Sequence, residues 1–314
     1  AASDVYKRQA MFLASASKGQ TVVATTMFGK LVSNDGGKTF TSVTDYETSQ
    51  SVRFSQTKVW APSDTQLSVS ADNGATWTAS NIDGLKTSAR YVAAPSDDVI
   101  YISAGEWPQQ SPQKDSNSHS LSARWTLSPE ASTKKITAIP TYGSVSKKHA
   151  EATGQSTTYK MQMLKSVDGG KTFVTQFFSD SLNLYFNAVD CYDEKHCCAA
   201  AEGDSVAVYC TNDGESWNQV YADPSSTLSL MGAAYVGPQE IWIAGGNLSQ
   251  IDMYAYMLHS VDGGKTWTVE GTDIYGQYPN DLSFVSSTQG WASTFNNLQQ
   301  SGLLPVSYTH LTLP

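Results

Sequence analysis

Four cysteines crowd into one stretch of this sequence, at positions 191, 197, 198 and 210, and three chemistries fit them. The run from Cys198 to Cys210 reads as a hairpin turning at Glu202–Ser205, which sets those two sulfurs opposite each other across the ladder. Cys197 points to the other face of the same strand and can close the short turn back to Cys191. Two such bridges belong in an oxidising compartment, each adding about 2–4 kcal/mol by restricting the unfolded chain. Free buried thiols are the second option. A metal site, Cys191-x4-His196-Cys197-Cys198, is the third, but adjacent strand cysteines face opposite ways and do not converge on one ion.

The remaining reactive side chains form no recognisable set. His119, His149, His196 and His259 lack metal-ligand spacing, and His259 fits a strand. No Gly-x-Ser-x-Gly, P-loop or dinucleotide fingerprint occurs, so neither metal nor cofactor is expected. Trp107, ahead of Pro108, and Tyr275 and Tyr278, in Tyr-Gly-Gln-Tyr-Pro, are candidate platforms for a peptide or a sugar ring. They fall in inter-strand segments, where function collects; the longest excursions are 105–122 and roughly 142–158. The single sequon, Asn247-Leu-Ser249, is compatible with secretion.

The elements that must position these residues follow from composition and repetition. Of 314 residues, 20 are Lys or Arg against 29 Asp or Glu, a net charge of −9 that argues against a nucleic-acid partner. No apolar run is long enough to span a membrane as a helix. Abundant Gly, Ser and Thr without long 3.6-residue stripes point to β structure. Residues 1–9 and 303–314 share no pattern with the rest and resemble translated adapter sequence. The expectation is one domain over 10–302 between two non-native tails, with any targeting sequence missing from this chain.

An eight-residue box then recurs: Ser33-Asn-Asp-Gly-Gly-Lys-Thr-Phe40, Ser70-Ala-Asp-Asn-Gly-Ala-Thr-Trp77, Ser166-Val-Asp-Gly-Gly-Lys-Thr-Phe173 and Ser260-Val-Asp-Gly-Gly-Lys-Thr-Trp267. Thr211-Asn-Asp-Gly-Glu-Ser-Trp217 is a copy one residue short. Counting Trp125 as a sixth site gives aromatic spacings of 37, 48, 48, 44 and 50 residues. Short apolar runs precede the boxes, among them Val59-Trp-Ala61, Ile100–Gly105, Cys197–Gly203, Ile241–Gly245 and Gly290-Trp-Ala292. Each unit reads as four short strands, the signature of a propeller blade. Asp35, Asp72, Asp168, Asp213 and Asp262 serve as turn formers, accepting hydrogen bonds from their own turn, and the fifth-position Gly supplies φ > 0. The closing aromatic is expected to point inward, hiding about 150–250 Å².

These boxes, S-x-D-x-G-x-T-[WF], resemble the Asp-box or bacterial neuraminidase repeat of sialidases, sortilin-type receptor propellers and photosystem II assembly-factor propellers. The resemblance covers roughly residues 20–295. It implies an all-β propeller of four-stranded antiparallel blades, with six box-type units and a partial seventh in a truncated seven-bladed ring. It also sets a catalytic standard, since sialidases need an arginine cluster, a Tyr–Glu pair and an acid Asp. Beyond the N-terminal tail only Arg53, Arg90 and Arg124 remain; Arg124 adjoins a box-like aromatic, and Arg53 lacks the Arg-Ile-Pro setting of the family. No free carboxylate pair stands out for glycoside hydrolysis. The leading expectation is a non-catalytic, secreted or lumenal propeller binding a protein or peptide, with carbohydrate as the second ligand class. The alternative is a divergent glycoside hydrolase acting on sialosides or β-glucans.

Overall fold

A computed structural model describes residues 12–26, 29–43, 49–106, 159–249, 253–286, 288–295 and 301–306. The chain divides into two compact units, 1–107 with 158–314 and 108–157; the second lies outside the described residues. The first is an all-β propeller built from six antiparallel sheets in chain order. Sheet one holds β1 (Phe12–Lys18), β2 (Thr21–Thr26), β3 (Gly29–Ser33) and β4 (Thr41–Ser42). Sheet two holds β5 (Arg53–Phe54), β6 (Val59–Ser63), β7 (Gln66–Ser70) and β8 (Thr78–Asn81). Sheet three holds β9 (Ala89–Ala93), β10 (Ile100–Glu106), β11 (Lys160–Ser166) and β12 (Val174–Ser179). Sheet four holds β13 (Leu184–Cys191), β14 (Cys197–Gly203), β15 (Val206–Thr211) and β16 (Asn218–Asp223). Sheet five has β17 (Leu228–Tyr235), β18 (Ile241–Asn247), β20 (Met257–Ser260) and β21 (Thr268–Glu270), with β19 (Tyr254–Ala255) also on β18. Sheet six has β22 (Tyr278–Ser286), β23 (Gln289–Phe295) and β24 (Ser301–Val306).

Burial grades outward across each blade. The second strands β10, β14 and β18 are buried at every position but their last, whereas β8 is exposed throughout and β16 and β21 are largely open. Apolar second strands such as Ile100–Gly105 are therefore covered on both faces, and the polar fourth strands form the rim. The core lies between blades, in five clusters that each join two successive sheets. Val23 and Val59 meet between sheets one and two, Trp60 and Ile100 between two and three, Tyr101 and Phe186 between three and four. Val208 and Ile243 meet between four and five, and Trp242 and Leu282 between five and six.

The boxes are the turns between third and fourth strands. In each intact copy the aspartate accepts from the first-position Ser hydroxyl and from the seventh-position Thr, through both its amide and its hydroxyl. For Asp262 these distances are 2.9, 2.9 and 2.6 Å. The short copy keeps the clamp on Asp213 through Thr211 and the amides of Glu215 and Ser216. Led by the threonine hydroxyl, these bonds lower the carboxyls of Asp35, Asp72 and Asp262 to about 2; amide bonds from Ser216 and Glu215 do the same to Asp213.

Three sequence expectations are corrected. Strand β10 pairs directly with β11, Ile100 opposite Ser166, so the box at 166–173 belongs to the sheet that begins at Ala89. Strands β9 to β12 form one blade, with residues 107–158 lying in sequence between its second and third strands; Trp125 lies outside the described residues. Five blades thus carry boxes and a sixth sheet has three strands, in place of six boxes and a partial seventh. Second, Phe40 is 44% exposed. Trp217 packs edge-on against Tyr101 of the preceding sheet, and no described sheet lies on the corresponding side of Phe40. Third, residues 303–306, set apart from the fold by sequence, pair with β23. Among the described residues no helix is long and apolar enough to cross a membrane.

Two outcomes follow. Trp217→Ala should cost about 3–5 kcal/mol and Phe40→Ala less than about 1 kcal/mol, read as urea midpoints; equal losses would contradict the inter-blade role of the aromatic. Because the folded box carboxyls lie below the unfolded value of 3.8, their contribution is full above that pH and fades as pH falls through about 2. The unfolding midpoint should drop over that window, and Asp262→Asn should flatten the drop.

Candidate functional site

The innermost strands share an irregularity that the sequence does not announce. In four successive sheets the first strand carries a bulge against the second: Arg90 is extra in β9, Met231 in β17 and Asn280 in β22, while Asn187 and Ala188 together oppose Ala200 in β13. A bulge leaves a residue outside the ladder and re-aims its side chain. Here three of the four link up around the axis. Arg90 Nη2 donates to Asn187 Oδ1 at 2.9 Å, and Asn187 Nδ2 donates to the Leu230 carbonyl at 2.9 Å and to Met231 Sδ at 3.1 Å.

Arg90 is half-buried, its guanidinium lies 5.1 Å from the centre of the Tyr185 ring, and its Nε is buried without a hydrogen-bond partner. Such a donor is costly unless something accepts from the group. Arg53, on the neighbouring inner strand, reaches Asp281 of β22 at 4.0 Å, with side chains 25% and 44% exposed. At that separation the pair is loose and worth little by itself. Nearby Asp190 accepts from the Tyr235 amide at 2.8 Å; burial pushes its carboxyl up while Arg53 draws it down. Tyr91, desolvated among Arg90, Asp281, Glu202 and Arg53, is likewise raised.

Above this ring, at the end opposite the boxes, lies a closed polar knot. Glu202 accepts from the Tyr185 hydroxyl, the Ser229 hydroxyl and the Leu230 amide, and Ser229 also meets the Tyr278 hydroxyl at 2.6 Å. It ties sheets four, five and six together. Tyr185 and Tyr278 are both 2% exposed, and burial holds both phenols protonated far above ordinary pH.

The structure separates the residues nominated by sequence. Tyr278 is a buried knot residue and no open platform. Tyr275 is 69% exposed, and Trp107 and Arg124 lie outside the described residues. The cysteines pair as Cys191–Cys197 and Cys198–Cys210, each pair in register across adjacent strands. Arg53 and Arg90 lie on the first strands of neighbouring sheets, and both act electrostatically on the Tyr91 phenol. Asn187, Asp190, Met231, Glu202 and Asp281 were missed; for all but Glu202, which lies on the second strand β14, the signal was position on a blade's first strand, legible only once the blades are counted correctly.

No family model matches the chain, and no curated protein matches it. Among solved structures it is similar to YCF48 bound to a D1 peptide, at 16% identity over 96% of this chain and 94% of that one, TM-score 0.45. A polysaccharide lyase, an ulvan lyase of family PL25, matches at 10% identity over 94% and 72%, TM-score 0.50. The extracellular domain of the one component system BT4673 from B. thetaiotaomicron matches at 11% over 93% of this chain and 32% of that one, TM-score 0.51. At these identities the likeness to the lyase and to the extracellular domain speaks for the propeller fold alone.

The knot is testable. Glu202→Gln places an amide where two hydroxyls and an N–H donate, and should cost about 1–3 kcal/mol; Tyr278→Phe removes one neutral bond and should cost about 0.5–1.5 kcal/mol. Both are read by chemical denaturation, and a Glu202→Gln protein as stable as the parent would dissolve the knot.

Proposed function

We propose that this chain is a non-catalytic Asp-box propeller that binds a protein or peptide partner in an extracytoplasmic or lumenal compartment, in the manner of an assembly-factor-like or receptor-like propeller. The observation that carries the reading is Arg90, a half-buried guanidinium at a bulge of β9 that reaches the next sheet, with the Asn187 amide as its hydrogen-bond partner and a buried Nε that has none. Arg53 supplies a second guanidinium, whose Nη1 donates to the Val52 carbonyl at 3.1 Å while its Nη2 meets Asp281 only loosely, at 4.0 Å. Such a pair accepts a carboxylate from an acidic peptide through charge-assisted bonds, and the adjoining Asn187, Met231 and Asp281 give polar and apolar contacts to its backbone. Two disulfides in one short region support the compartment.

A glycoside-hydrolase reading is favoured by one arrangement, Tyr185 bonded to Glu202 beside Arg90. It requires a phenol that can ionise and attack. Burial opposes that ionisation, and Glu202 is already engaged by two other donors.

The test uses fluorescence polarisation with a panel of acidic and amidated peptides on the disulfide-intact protein, beside a fluorogenic sialoside and a β-glucan panel. A charged hydrogen bond is worth about 1.5–3 kcal/mol, so Arg90→Ala should weaken acidic-peptide binding about tenfold or more. Arg53→Ala should weaken it less, and Lys265→Ala not at all. Turnover at enzyme-like rates, or binding indifferent to Arg90, would overturn the proposal.

A further inference from the structure

Strand β18 ends at Asn247, the first residue of the sequon Asn247-Leu-Ser249. The Ser249 amide donates to Asn247 Oδ1 at 2.8 Å, an Asx turn that takes up the amide oxygen. The Leu248 amide donates to the Thr227 carbonyl at 2.7 Å and fixes the turn on the sheet. Asn247 is half-exposed, at the end of the blade opposite the boxes. Its lateral neighbours are unusual. Asn247 pairs with Tyr254 of β19, and Tyr254 forms an antiparallel bridge to Tyr275. Residues paired directly across antiparallel strands project from the same face of the sheet, about 4.5–5.5 Å apart. Asn247, Tyr254 and Tyr275 therefore make one row on one face, and its outer member is the most exposed large apolar side chain among the described residues, at 69%.

We propose that Asn247 is an N-glycosylation site and that Tyr254 and Tyr275 are the platform on which the proximal sugar lies. In the transfer, Asn247 Nδ2 bonds to the anomeric carbon of a lipid-pyrophosphate-linked oligosaccharide. The lipid pyrophosphate leaves, and the displaced amide proton passes to the transferase base. The acceptor sequence, the turn exposure and the disulfides agree on the compartment in which this chemistry occurs. The aromatic row accounts for the 69% exposure of Tyr275, since the C–H face of a pyranose is apolar enough to pack on a ring.

The experiment is expression through the secretory pathway of a eukaryotic cell, with both disulfides verified. Treatment with a peptide N-glycosidase should abolish one mobility shift and leave an aspartate at 247 by peptide mass mapping. Asn247→Gln and Ser249→Ala should lose the shift completely, while Ser249→Thr keeps it. Tyr275→Ala should lower Tm by about 2–4 °C in the glycosylated protein and by much less after enzymatic removal of the glycan. An unmodified Asn247 in secreted, disulfide-bonded protein would overturn the site; equal Tm losses with and without glycan would overturn the platform. Neither outcome bears on peptide binding at Arg90.

Discussion

The glycine at the fifth box position rests against the blade before it, and the stacking of blades depends on that contact. A Cβ on Gly74 would lie 2.8 Å from Val23 of sheet one, and on Gly170 3.2 Å from Trp60 and Leu67 of sheet two. On Gly214, the fourth residue of the short copy, it would meet the Tyr101 hydroxyl of sheet three at 3.0 Å, and on Gly264 the Cys210 sulfur of sheet four at 3.4 Å. All four sit at φ between +75° and +89°, so backbone conformation demands glycine at each, and at Gly74 the space left by the preceding blade demands it as well. The aspartate holds the turn in the one shape that presents this bare backbone, and the aromatic closes the edge of the contact. The box is thus a local motif with a non-local purpose: it sets how close one sheet lies to the next.

The surface receiving each box varies in a way that explains the cysteines. The second residue of the second strand is Trp60 in sheet two, Tyr101 in sheet three and Trp242 in sheet five, all buried. In sheet four the same register position is Cys198, opposite Cys210, which receives Gly264. A cross-strand disulfide there fills the slot given elsewhere to an aromatic ring. Cys197 turns to the other face and ties the 191–197 turn, whose Glu194 carbonyl accepts the Tyr101 hydroxyl at 2.7 Å. The two bridges lie on either side of one strand and strengthen both boundaries of the blade with the degenerate box.

Features set by local chemistry were legible in the sequence. The box turns, the apolar second strands and the Cys198–Cys210 pairing, centred on a Glu202–Ser205 turn, each follow from a few adjacent residues. What escaped depends on context. Residues 107–158 read as a blade because the interval around them happens to be two repeat lengths and holds a tryptophan near its midpoint. Phe40 read as buried because its box matches those of Trp217 and Trp77, yet burial of the ring needs a preceding sheet. Tyr278 read as exposed because Gly276 and Pro279 flank it like a loop, whereas it opens an inner strand and faces Ser229. The bulges were invisible, since a one-residue shift on a short strand leaves no trace in composition.

Those bulges set apart, within one repeat, positions that the packing between blades does not fix. Boxes and second strands are constrained on every side, so a ligand-contacting change there would disturb the fit between blades. The inner strand has a neighbour on one lateral edge only, and a bulge there sacrifices ladder pairing where another strand is not waiting. Arg90, Asn187, Met231 and Asn280 occupy equivalent places in four blades yet span three chemistries, while the glycines at the box end are identical. A position that tolerates a cation, an amide and a thioether in the same backbone geometry is free of the packing rule that fixes the rest of the blade. On the proposed peptide-binding reading, recognition would be rewritten at the bulges, one side chain per blade, with the blade contacts left intact, and the residues to test are those four and their neighbours Arg53 and Asp281.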